Sequence, residues 1–315
     1  MSIEIAIVIV NYRTPGLTLD CLRSLEPEVD SKIRVVVVDN ASGDGSADEI
    51  ETAIAKLGFA GWVSVLRSPI NGGFAAGNNL GIRSIDASAY LLLNSDTIVQ
   101  PGAIAGLREA MRTRPDAGII GPGLLNVQGK HDASVFRAPL PAAEFTRAAR
   151  SGIVERLLPH LTPSYPPADQ PFEAEWLGFA CVLVRTEVID QVGGLDEGYF
   201  MYFEDADYCR AARDAGFRVR HFPQARVVHL RGGSSDVKAQ QARRKRPPRY
   251  YYEARARYFR KHYGVTGAVL VNVMWTAGRG IHLTRERLFR AAPRSCEREW
   301  IDNWIGVFGF SRGDS

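Results

Sequence analysis

The sequence predicts an α/β protein with a mostly parallel central sheet flanked by helices and a basic helical extension at the C-terminus. Short apolar runs rich in β-branched residues recur between residues 3 and 120, which is typical of strands buried on both faces. Stretches with the apolar spacing of helices lie between these runs, joined by short links, as in sheets whose strands are parallel. Polar residues follow four of the runs directly, at the edge where such sheets bind ligands.

The alternating elements can be placed along the first 120 residues. Strands are predicted at residues 3–10, 33–38, 62–66, 90–93 and 117–120, and helices at residues 15–25, 46–57, 73–85 and 101–113. Ser46 and Glu49 have the spacing of a capping box, which favours a helix start at Ser46. Pro15 favours the start of the first helix, because proline suits the first helical position.

The pattern changes after residue 130. Seven prolines lie between Pro139 and Pro171, which predicts a loop-rich insertion. Beyond this insertion, strands are predicted at residues 175–185, 217–220 and 225–230, and helices at residues 188–192, 204–215 and 249–262.

Charge is unevenly distributed along the chain. From Lys238 to Trp300 there are 16 Lys or Arg against 4 Asp or Glu, a net charge of +12. The rest of the chain carries 23 against 31, or −8, so the whole has a net charge of +4. An acidic-leaning body with a basic tail predicts that the tail meets an anionic partner.

Composition argues against several classes of protein. The four cysteines are far apart and form no C-x-x-C pair, so neither a zinc site nor a disulfide framework is indicated. The first residues, MSIEIAIVIVN, carry no basic residue and do not resemble a signal peptide. No apolar run reaches the roughly 18 to 20 residues that span a bilayer. We therefore expect a cytoplasmic protein, with a peripheral position on the inner face of the cell membrane as a further expectation.

The polar residues after the first four strands should meet at one edge of the sheet. They are Asn11 and Tyr12, Asp39 and Asn40, residues 67–71, and Asn94 to Asp96. A single aspartate after a strand is usually a turn residue, but four coincident polar ends favour a site. Asp96, backed by Asn94, can hold a divalent cation on a diphosphate or can cap the next helix. The residues alone leave both interpretations open.

The segment NGGFAAGNN, residues 71–79, begins with two glycines and enters a predicted helix. Backbone N–H groups at such a helix start suit a phosphate. A tight turn with close helix–strand packing explains the glycines equally well. The motif is not G-x-G-x-x-G, and the first acidic residue after it, Asp86, comes too early for a dinucleotide fold.

Three acids, Glu204, Asp205 and Asp207, crowd the start of a predicted helix beside an aromatic run. One acid would satisfy the helix dipole. Three acids favour a general base, because clustered carboxylates raise one another's pKa. His229 ends an apolar strand, where a histidine is either structural or a metal ligand.

Taken together and in order, these motifs resemble the family 2 glycosyltransferases, and in particular their bacterial rhamnosyltransferase-type branch. The matching segments are IVIVNYRTPGLTLDCLRSL, VVVVDNASGDGS, NGGFAAGNN, LLLNSD, EWLGFACVLVR, GGLDEGYFMYFEDADYCRAARDAG and VVHLRGGSS, and they span roughly residues 4–263. The resemblance implies a GT-A fold, a nucleoside-diphosphate sugar donor, a divalent metal (Mg or Mn) and inversion at the anomeric carbon.

The resemblance also implies roles for individual residues. Asp39 would accept a hydrogen bond from the pyrimidine N3–H, and Asn11 and Tyr12 would border the base. The diphosphate and sugar would be lined by Asn71, Gly72, Gly73 and Asn78. The D-x-D metal motif of the family is N-S-D here, so Asp96 would be the ligand, Asn94 would bring no charge, and His229 would be the second ligand. Asp205 would be the catalytic base, supported by Glu204 and Asp207, and Trp176 would form an acceptor or sugar platform.

These roles divide the chain into a GT-A domain over residues 1–235 and a basic, amphipathic helical extension over residues 236–315. The nucleotide-binding half of the domain would cover about residues 1–125, and the acceptor half about residues 126–235. The expected reaction is inverting transfer of L-rhamnose from dTDP-rhamnose to a hydroxyl of a glycan or polyprenyl-linked glycan, in cell wall or polysaccharide biosynthesis.

Three other functions fit parts of the sequence. A UDP-sugar donor stays open, because uracil and thymine both present the N3–H. A non-catalytic protein that binds nucleotide sugars or polyanions is disfavoured by the retention of Asp96, Asp205 and His229. A sugar nucleotidyltransferase would carry a glycine-rich loop after the first strand, where this chain has NYRTPG.

The segment RRKRPPRYYYEARARYFRKHYG, residues 243–264, is basic and aromatic. It would suit nucleic acid, an anionic membrane surface, or a solvated helix. The segment IHLTRERLF, residues 281–289, adds an amphipathic pattern. Because the chain resembles family 2 glycosyltransferases, we favour an anionic membrane surface as the partner of this segment and expect no nucleic acid partner.

Overall fold

A computed structural model describes residues 2–230, 243–289 and 296–309 of the chain. These residues form two compact units. The first unit comprises residues up to Phe136, Pro166–Phe200 and the described residues from Glu204 to 230. The second comprises Arg137–Tyr165, Met201–Phe203 and the described residues beyond 242. Residues 137–165, which we predicted in the acceptor half, therefore group with the C-terminal residues.

The first unit alternates strands and helices as predicted up to its fourth strand. The elements are β1 (Ile5–Asn11), α1 (Pro15–Leu25), β2 (Ile33–Asp39), α2 (Ser46–Leu57), β3 (Val63–Arg67), α3 (Gly73–Arg83) and β4 (Ala89–Asn94). They continue with β5 (Thr97–Val99), α4 (Ala103–Thr113), β6 (Ala117–Leu125) and β7 (Val135–Phe136). Short 3₁₀ helices follow α1 at Glu26–Glu28 and α2 at Phe59–Gly61.

The second part of the chain contributes elements to both units. The helices α5 (Ala143–Ala149) and α6 (Gly152–Leu157), with a 3₁₀ helix at Pro159–Leu161, belong to the second unit. The first unit resumes with β8 (Phe172–Glu173), β9 (Trp176–Leu177), β10 (Cys181–Arg185), α7 (Thr186–Val192), α8 (Glu204–Asp214) and β11 (Arg218–His229). The second unit ends with α9 (Arg249–Phe289) and α10 (Glu299–Asp302).

Nine strands form the main sheet within the described residues, in the order β3-β2-β1-β4-β10-β6-β11-β5, with β8 also paired to β11. Strands β1 to β4 are mutually parallel. Strand β10 runs antiparallel to both β4 and β6, and β6 is parallel to β11. Because β10 is antiparallel to both of its neighbours, β6 runs in the same direction as β4. Strands β6 and β11 therefore end at the same edge of the sheet as β1, β2 and β4.

Both faces of the parallel strands are covered, which explains their unbroken apolar runs. One face packs into a core that includes Ile7, Ile9, Val35 and Leu91. On the other face, α3 presents glycines to β1. A Cβ on Gly81 would lie 2.4 Å from Val8, so only glycine allows this helix to approach the strand so closely.

The start of α2 differs from the prediction. The helix begins at Ser46 as expected, but neither Ser46 nor Glu49 forms a capping box. Instead, the backbone N–H and the Oγ of Ser46 both donate to Oδ1 of Asp44, at 3.0 and 2.5 Å. The predicted capping box is therefore wrong, because Asp44 offers a charged acceptor two residues earlier.

Longer-range pairing changes several other elements. The strand predicted over residues 175–185 is split into β9 and β10, whereas the two strands predicted over residues 217–230 form the single strand β11, with an irregularity between Phe222 and Arg226. The proline-rich stretch contains two helices, α5 and α6, that the prolines did not predict. The helix predicted at residues 249–262 continues to Phe289, with a non-helical break at Gly264.

The second unit is built by α9 packing against α5. A Cβ on Gly278 would lie 2.2 Å from the backbone oxygen of Phe145, so the two helices touch through their backbones. Nearby, the buried guanidinium of Arg255 donates to Glu144 at 2.9 Å, and Glu144 also pairs with Arg147 at 2.6 Å. Burial raises the pKa of Glu144, but the charges and hydrogen bonds of the two guanidinium groups outweigh this effect and lower the pKa to about 2. Among the described helices, none has the length and apolar character needed to cross a membrane.

Candidate functional site

The predicted site residues of the first unit converge on the edge where the parallel strands end. Asn11 and Asp39 are neighbours across β1 and β2, and Val10 pairs with Asn94 across β1 and β4. His229 is paired with Thr97 across β11 and β5. The sheet therefore brings together residues from distant parts of the sequence, as the rule for open α/β sheets predicts.

The carboxylate of Asp39 is buried and held rigidly. Its Oδ1 accepts hydrogen bonds from Nδ2 of Asn11 at 2.8 Å and from Oγ of Ser42 at 2.6 Å. Its Oδ2 accepts one from the backbone N–H of Ser42 at 3.1 Å. Because two carboxylate oxygens offer about four acceptor positions, one position is left for a further donor. Ser42 was not predicted, although it lies in the same polar segment as Asp39.

The backbone beside Asp39 adopts left-handed conformations at two residues other than glycine. Arg13 has φ 58° and Ala41 has φ 55°, a region that such residues rarely occupy. The Arg13 conformation is held by Ser42, whose Oγ accepts from the Arg13 N–H at 3.0 Å and whose carbonyl accepts from Nε at 2.9 Å. The Arg13 guanidinium lies 5.1 Å from the ring centre of Tyr12. Strain of this kind is concentrated at functional sites.

The turn before α3 is tied to the end of β2. Oδ1 of Asn71 accepts from the N–H of Gly73 at 3.1 Å and from Nδ2 of Asn40 at 2.9 Å. Asn40 also donates to the carbonyl of Gly73 at 3.1 Å. Oδ1 of Asn40 is buried without a hydrogen-bond partner among the described residues. Asn40, which the sequence analysis gave no role, thus joins two predicted parts of the site.

Only glycine fits at position 73 without displacing the backbone. Its φ is +82°, and a Cβ would lie 2.0 Å from the backbone oxygen of Phe200. The next N–H, that of Phe74, donates to the same oxygen at 2.8 Å. Gly72 is also crowded, because its Cβ would lie 2.6 Å from that of Ala76. The glycines therefore serve close packing, which is one of the two explanations that the sequence left open.

The two asparagines of α3 have different surroundings. Asn78 is buried, and its Nδ2 donates within the helix to the carbonyl of Phe74 at 2.9 Å. Asn79 clamps the loop before α8: its Oδ1 accepts from the N–H of Leu195 at 2.9 Å, and its Nδ2 donates to the carbonyl of Leu195 at 2.8 Å. Contact of Asn78 with a donor sugar stays a prediction.

Asp96 and His229 meet at the far side of the same edge. Nε2 of His229 lies 3.3 Å from Oδ1 of Asp96, and the carbonyl of Asp96 accepts from the N–H of Leu230 at 2.9 Å. On the other side of the ring, Nδ1 lies 4.0 Å from Oδ2 of Asp132. The side chain of Asn94 is half-buried. Asp132 was not predicted, because nothing in its loop sequence marks it.

The Asp96–His229 pair has the donor set of a divalent cation such as Mn²⁺, namely one carboxylate and one imidazole. Nε2 of His229 and Oδ1 of Asp96 lie 3.3 Å apart, so both atoms could face one cation. Within the described residues, no three His, Cys, Asp or Glu side chains cluster as a metal site. A cation held by Asp96 and His229 would therefore need further ligands from groups other than these side chains.

The three acids of α8 lie in different environments. Glu204 and Asp207 are buried, and Oδ1 of Asp207 accepts a hydrogen bond from the Tyr199 hydroxyl at 3.3 Å. Oε2 of Glu204 has no hydrogen-bond partner among the described residues. Asp205 alone of the three keeps some surface accessible to solvent. The structure therefore separates one accessible carboxylate from two enclosed ones.

The pKa values of two of these acids are raised. Burial raises the pKa of Asp205 to about 7, against 3.8 for an exposed aspartate. Hydrogen bonds from the backbone N–H groups of Ala206 and Phe179 oppose that shift. Phe179 lies just before β10, and its neighbour Ala180 accepts from the N–H of Asn94 at 2.9 Å. Burial, followed by the charge of Asp205, raises the pKa of Glu204 well above its usual range.

Trp176 lies on β9, paired with the short strand β7. Its ring stacks on that of Phe136, with centres 4.3 Å apart and planes inclined by 22°. The Trp176 side chain is half-buried. A rigid, partly open aromatic pair of this kind suits contact with the apolar face of a sugar.

Solved structures with the same architecture support the fold. A mannosyltransferase from Pyrobaculum calidifontis, in complex with GDP-Man and Mn²⁺, is similar with a TM-score of 0.57 and 13% identity, over 91% of this chain and 76% of that one. GalNAc-T7 with UDP, GalNAc and Mn²⁺ is similar with a TM-score of 0.55 and 14% identity, over 73% of this chain and 44% of that one. The predicted GT-A fold is confirmed.

Sequence comparison points to the same group of proteins. An N-acetylglucosaminyl-diphospho-decaprenol L-rhamnosyltransferase of Mycobacterium tuberculosis is 28% identical over 254 residues, which cover 75% of this chain and 78% of that protein. A low-salt glycan biosynthesis hexosyltransferase of Haloferax volcanii is 25% identical over 235 residues, or 72% of this chain and 67% of that protein. Residues 3–246 match the profile described as glycosyltransferase like family 2. The resemblance inferred from the motifs is thus confirmed, and the chain belongs to glycosyltransferase-like family 2.

Proposed function

We propose that this chain catalyses the metal-dependent, inverting transfer of a sugar from a nucleoside diphosphate to a hydroxyl of a glycan or polyprenyl-linked glycan. The donor we favour is dTDP-rhamnose. One observation carries the proposal: Asp39, the Asp96–His229 pair and the backbone contact of Asp205 all lie at one edge of one sheet. The Mycobacterium tuberculosis relative, whose name specifies L-rhamnose and a decaprenol-linked acceptor, supports this choice of donor and acceptor.

Asp39 would recognise the base. Its carboxylate is fixed by Asn11 and Ser42, with acceptor capacity left over, so it suits the N3–H of a pyrimidine. A fixed charged acceptor forms a strong hydrogen bond at little cost in conformational entropy. Tyr12, beside it, would border the base. Uracil and thymine both satisfy this contact, so the preference for thymine is tested separately below.

Asp96 and His229 would hold the divalent cation, with Asn71, Gly72 and Gly73 near the diphosphate. When bound, a divalent cation would neutralise the charge that develops on the leaving diphosphate. The uncharged Asn94 in place of a second carboxylate leaves Asp96 as the charged ligand of this motif. Mn²⁺ is the better match than Mg²⁺, because imidazole is a ligand that Mg²⁺ seldom takes.

Asp205 would be the general base. With a pKa near 7, it is partly ionised at neutral pH and basic enough to take a proton from an acceptor hydroxyl. As its carboxylate oxygen takes the proton, the hydroxyl oxygen bonds to the anomeric carbon, and the bond to the diphosphate breaks on the opposite face. The sugar configuration is thereby inverted, and no covalent enzyme intermediate is needed. Glu204 and Asp207 would support Asp205, and Trp176 would contact the sugar or acceptor.

Calorimetric titration tests the donor site. UDP and dTDP are titrated into the wild type with Mn²⁺, with Mg²⁺ and with chelator, and the same series is run on Asp96→Ala. The control is Asp214→Ala, which removes an exposed carboxylate at the far end of α8. We expect Mn²⁺-dependent binding, tighter for dTDP, that is weakened at least tenfold in Asp96→Ala and unchanged in Asp214→Ala.

Three outcomes would contradict parts of the proposal. Tighter binding of UDP than of dTDP would indicate that the donor is a UDP sugar. Equal nucleotide binding with and without metal would show that the nucleotide site does not need a cation. Absence of binding to both nucleotides under all metal conditions would refute the proposed transferase itself.

A further inference from the structure

The part of α9 that follows the break at Gly264 is apolar on its exposed side as well as on its buried side, where Ala268, Val271 and Trp275 lie. Residues 265–278 contain no charged side chain, yet this stretch has a solvent-facing side on which Val265, Leu270 and Val273 are 45%, 44% and 49% exposed. Surface helices of soluble proteins show the opposite arrangement, with polar residues outward. The outer side of this helix therefore has the character of a face that leaves water.

Polar contacts prevent the helix from turning this side inward. On its buried side, Asn272 accepts from Arg255 at 2.7 Å and donates to the carbonyl of Asn303 at 2.9 Å. Further along, the carboxylate of Glu286 lies 3.2 Å from the guanidinium of Arg279 and 2.9 Å from the imidazole of His282. Rotating α9 would break these contacts and leave buried charges unpaired. The apolar side is thus held outward.

An aromatic ridge runs beside α9. Trp300, Trp304 and Phe308 recur at every fourth residue and are exposed, as is Ile301. The rings of Trp304 and Phe308 are stacked, with centres 6.1 Å apart and planes within 7°. Trp300 packs edge-on against Trp275 of α9 at 4.9 Å. We call these four ridge residues, with Val265, Leu270 and Val273, the apolar surface of the second unit.

We infer that this surface docks the enzyme onto an anionic lipid bilayer. Exposed tryptophans beside basic residues are typical of proteins that sit at the interface between lipid and water. The stretch from Lys238 to Trp300 carries a net charge of +12, and Arg287 and Arg298 are exposed on the second unit. Anionic lipid complements that charge, because basic residues near a membrane surface are attracted by its negative potential.

A second copy of the chain fits the apolar surface of the second unit less well than a bilayer does, because of its charge. A symmetric dimer would place two strongly basic segments against each other, and charges of like sign oppose association. A bilayer presents the opposite charge. The inference deepens the proposed function and rests on it for its purpose, since a polyprenyl-linked acceptor lies in a membrane. The surface itself is defined by the second unit alone.

Sedimentation with lipid vesicles tests the inference. The full chain is mixed with vesicles of phosphatidylcholine, or of equal parts phosphatidylcholine and phosphatidylglycerol, at low and high salt. The variant Ile301→Ser/Phe308→Ser removes two exposed apolar side chains, so the fold has little reason to change. The matched control is Val127→Ser, which alters an apolar residue of the first unit that is also exposed.

We expect the wild type and the control to bind the anionic vesicles, more weakly at high salt. The double variant should bind at least tenfold more weakly, because each buried apolar side chain is worth about tenfold in partitioning. Equal binding by the double variant, or no binding of the wild type to anionic vesicles, would overturn the inference. So would a wild-type dimer in light scattering that the double substitution dissociates, since a second copy would then be the occupant.

Nucleotide titration of the same samples separates this inference from the proposed function. Nucleotide binding without vesicle binding would reject the docking surface and leave the transferase intact. Vesicle binding without nucleotide binding would reject the transferase and leave the surface. The double variant should bind nucleotide as the wild type does, because neither changed residue lies at the sheet edge.

Discussion

Replacing the proposed base, Asp205, with asparagine should abolish transfer and at the same time stabilise the protein. Asparagine keeps the size of the side chain and its ability to accept the hydrogen bond from the N–H of Ala206, which is 2.8 Å long in the structure. It cannot take a proton from an acceptor. Loss of a general base lowers kcat by about 10² to 10⁴-fold.

The stabilisation follows from the raised pKa of Asp205. The pKa is about 7 in the folded chain against 3.8 for an exposed aspartate, and each pH unit of that difference is worth about 1.4 kcal/mol. Ionised Asp205 therefore costs the fold at most about 4 kcal/mol above pH 7. Because part of the side chain remains accessible to solvent, we expect about 2 kcal/mol. Relief of the repulsion with Glu204 acts in the same direction.

The sign of the pH dependence is a separate test. Between pH 4 and pH 7 the folded chain binds more protons at Asp205 than the unfolded chain does, so this carboxyl makes the fold less stable as the pH rises. The advantage of Asp205→Asn should be largest near pH 8, smaller at pH 5 and absent below about pH 4. Wild-type transfer should fall as the pH drops below 7, because the base becomes protonated.

Thermal unfolding followed by circular dichroism, together with release of nucleoside diphosphate in a transfer assay, measures both effects. A gain of about 2 kcal/mol should raise Tm by roughly 4 to 8 °C in a unit of this size. Asp214→Asn, an exposed change in the same helix, is the control and should alter neither quantity. A variant that is less stable at pH 8, or that retains full transfer, would refute the reasoning.

Three further substitutions test other parts of the site. Gly73→Ala should lower the free energy of unfolding by about 3 kcal/mol or more, because its Cβ would lie 2.0 Å from the backbone oxygen of Phe200. Gly129→Ala shares the positive φ but meets open space and should lose only about 1 kcal/mol in the same urea titration. Asp39→Ala should weaken nucleotide binding at least tenfold in calorimetry. Unchanged affinity would show that Asp39 does not bind the base. His229→Ala should raise the Mn²⁺ concentration for half-maximal transfer at least tenfold; an unchanged requirement would exclude it as a ligand.

Local patterns in the sequence were sufficient for the four parallel strands and three helices up to Asn94, but they did not predict the short strand β5. Short apolar runs rich in β-branched residues are typical of strands covered on both faces, and short links between them and the helices favour parallel pairing. The same patterns placed polar residues at the strand ends, so Asp39 and Asp96 could be predicted as members of one edge, whereas His229 was assigned to the same site only through the family resemblance. The ordered motifs then identified the family.

Other features depend on contacts between residues far apart in the chain, which local patterns do not specify. The insertion of β10 as an antiparallel strand between β4 and β6 is one example, because an apolar run fits either direction. The helices α5 and α6 are another, since their stability comes from packing within the second unit more than from propensity.

By itself, the sequence determined the fold class, the edge of the sheet that forms the site and the residue types available there. Only the tertiary structure set the 3.3 Å approach of His229 to Asp96 and left Asp205 as the accessible acid of its cluster. The exposure of the apolar side of α9 is likewise a result of tertiary packing alone. The physical reason is the same in each case: distance, burial and pKa are properties of three-dimensional surroundings, which spacing along the chain does not encode.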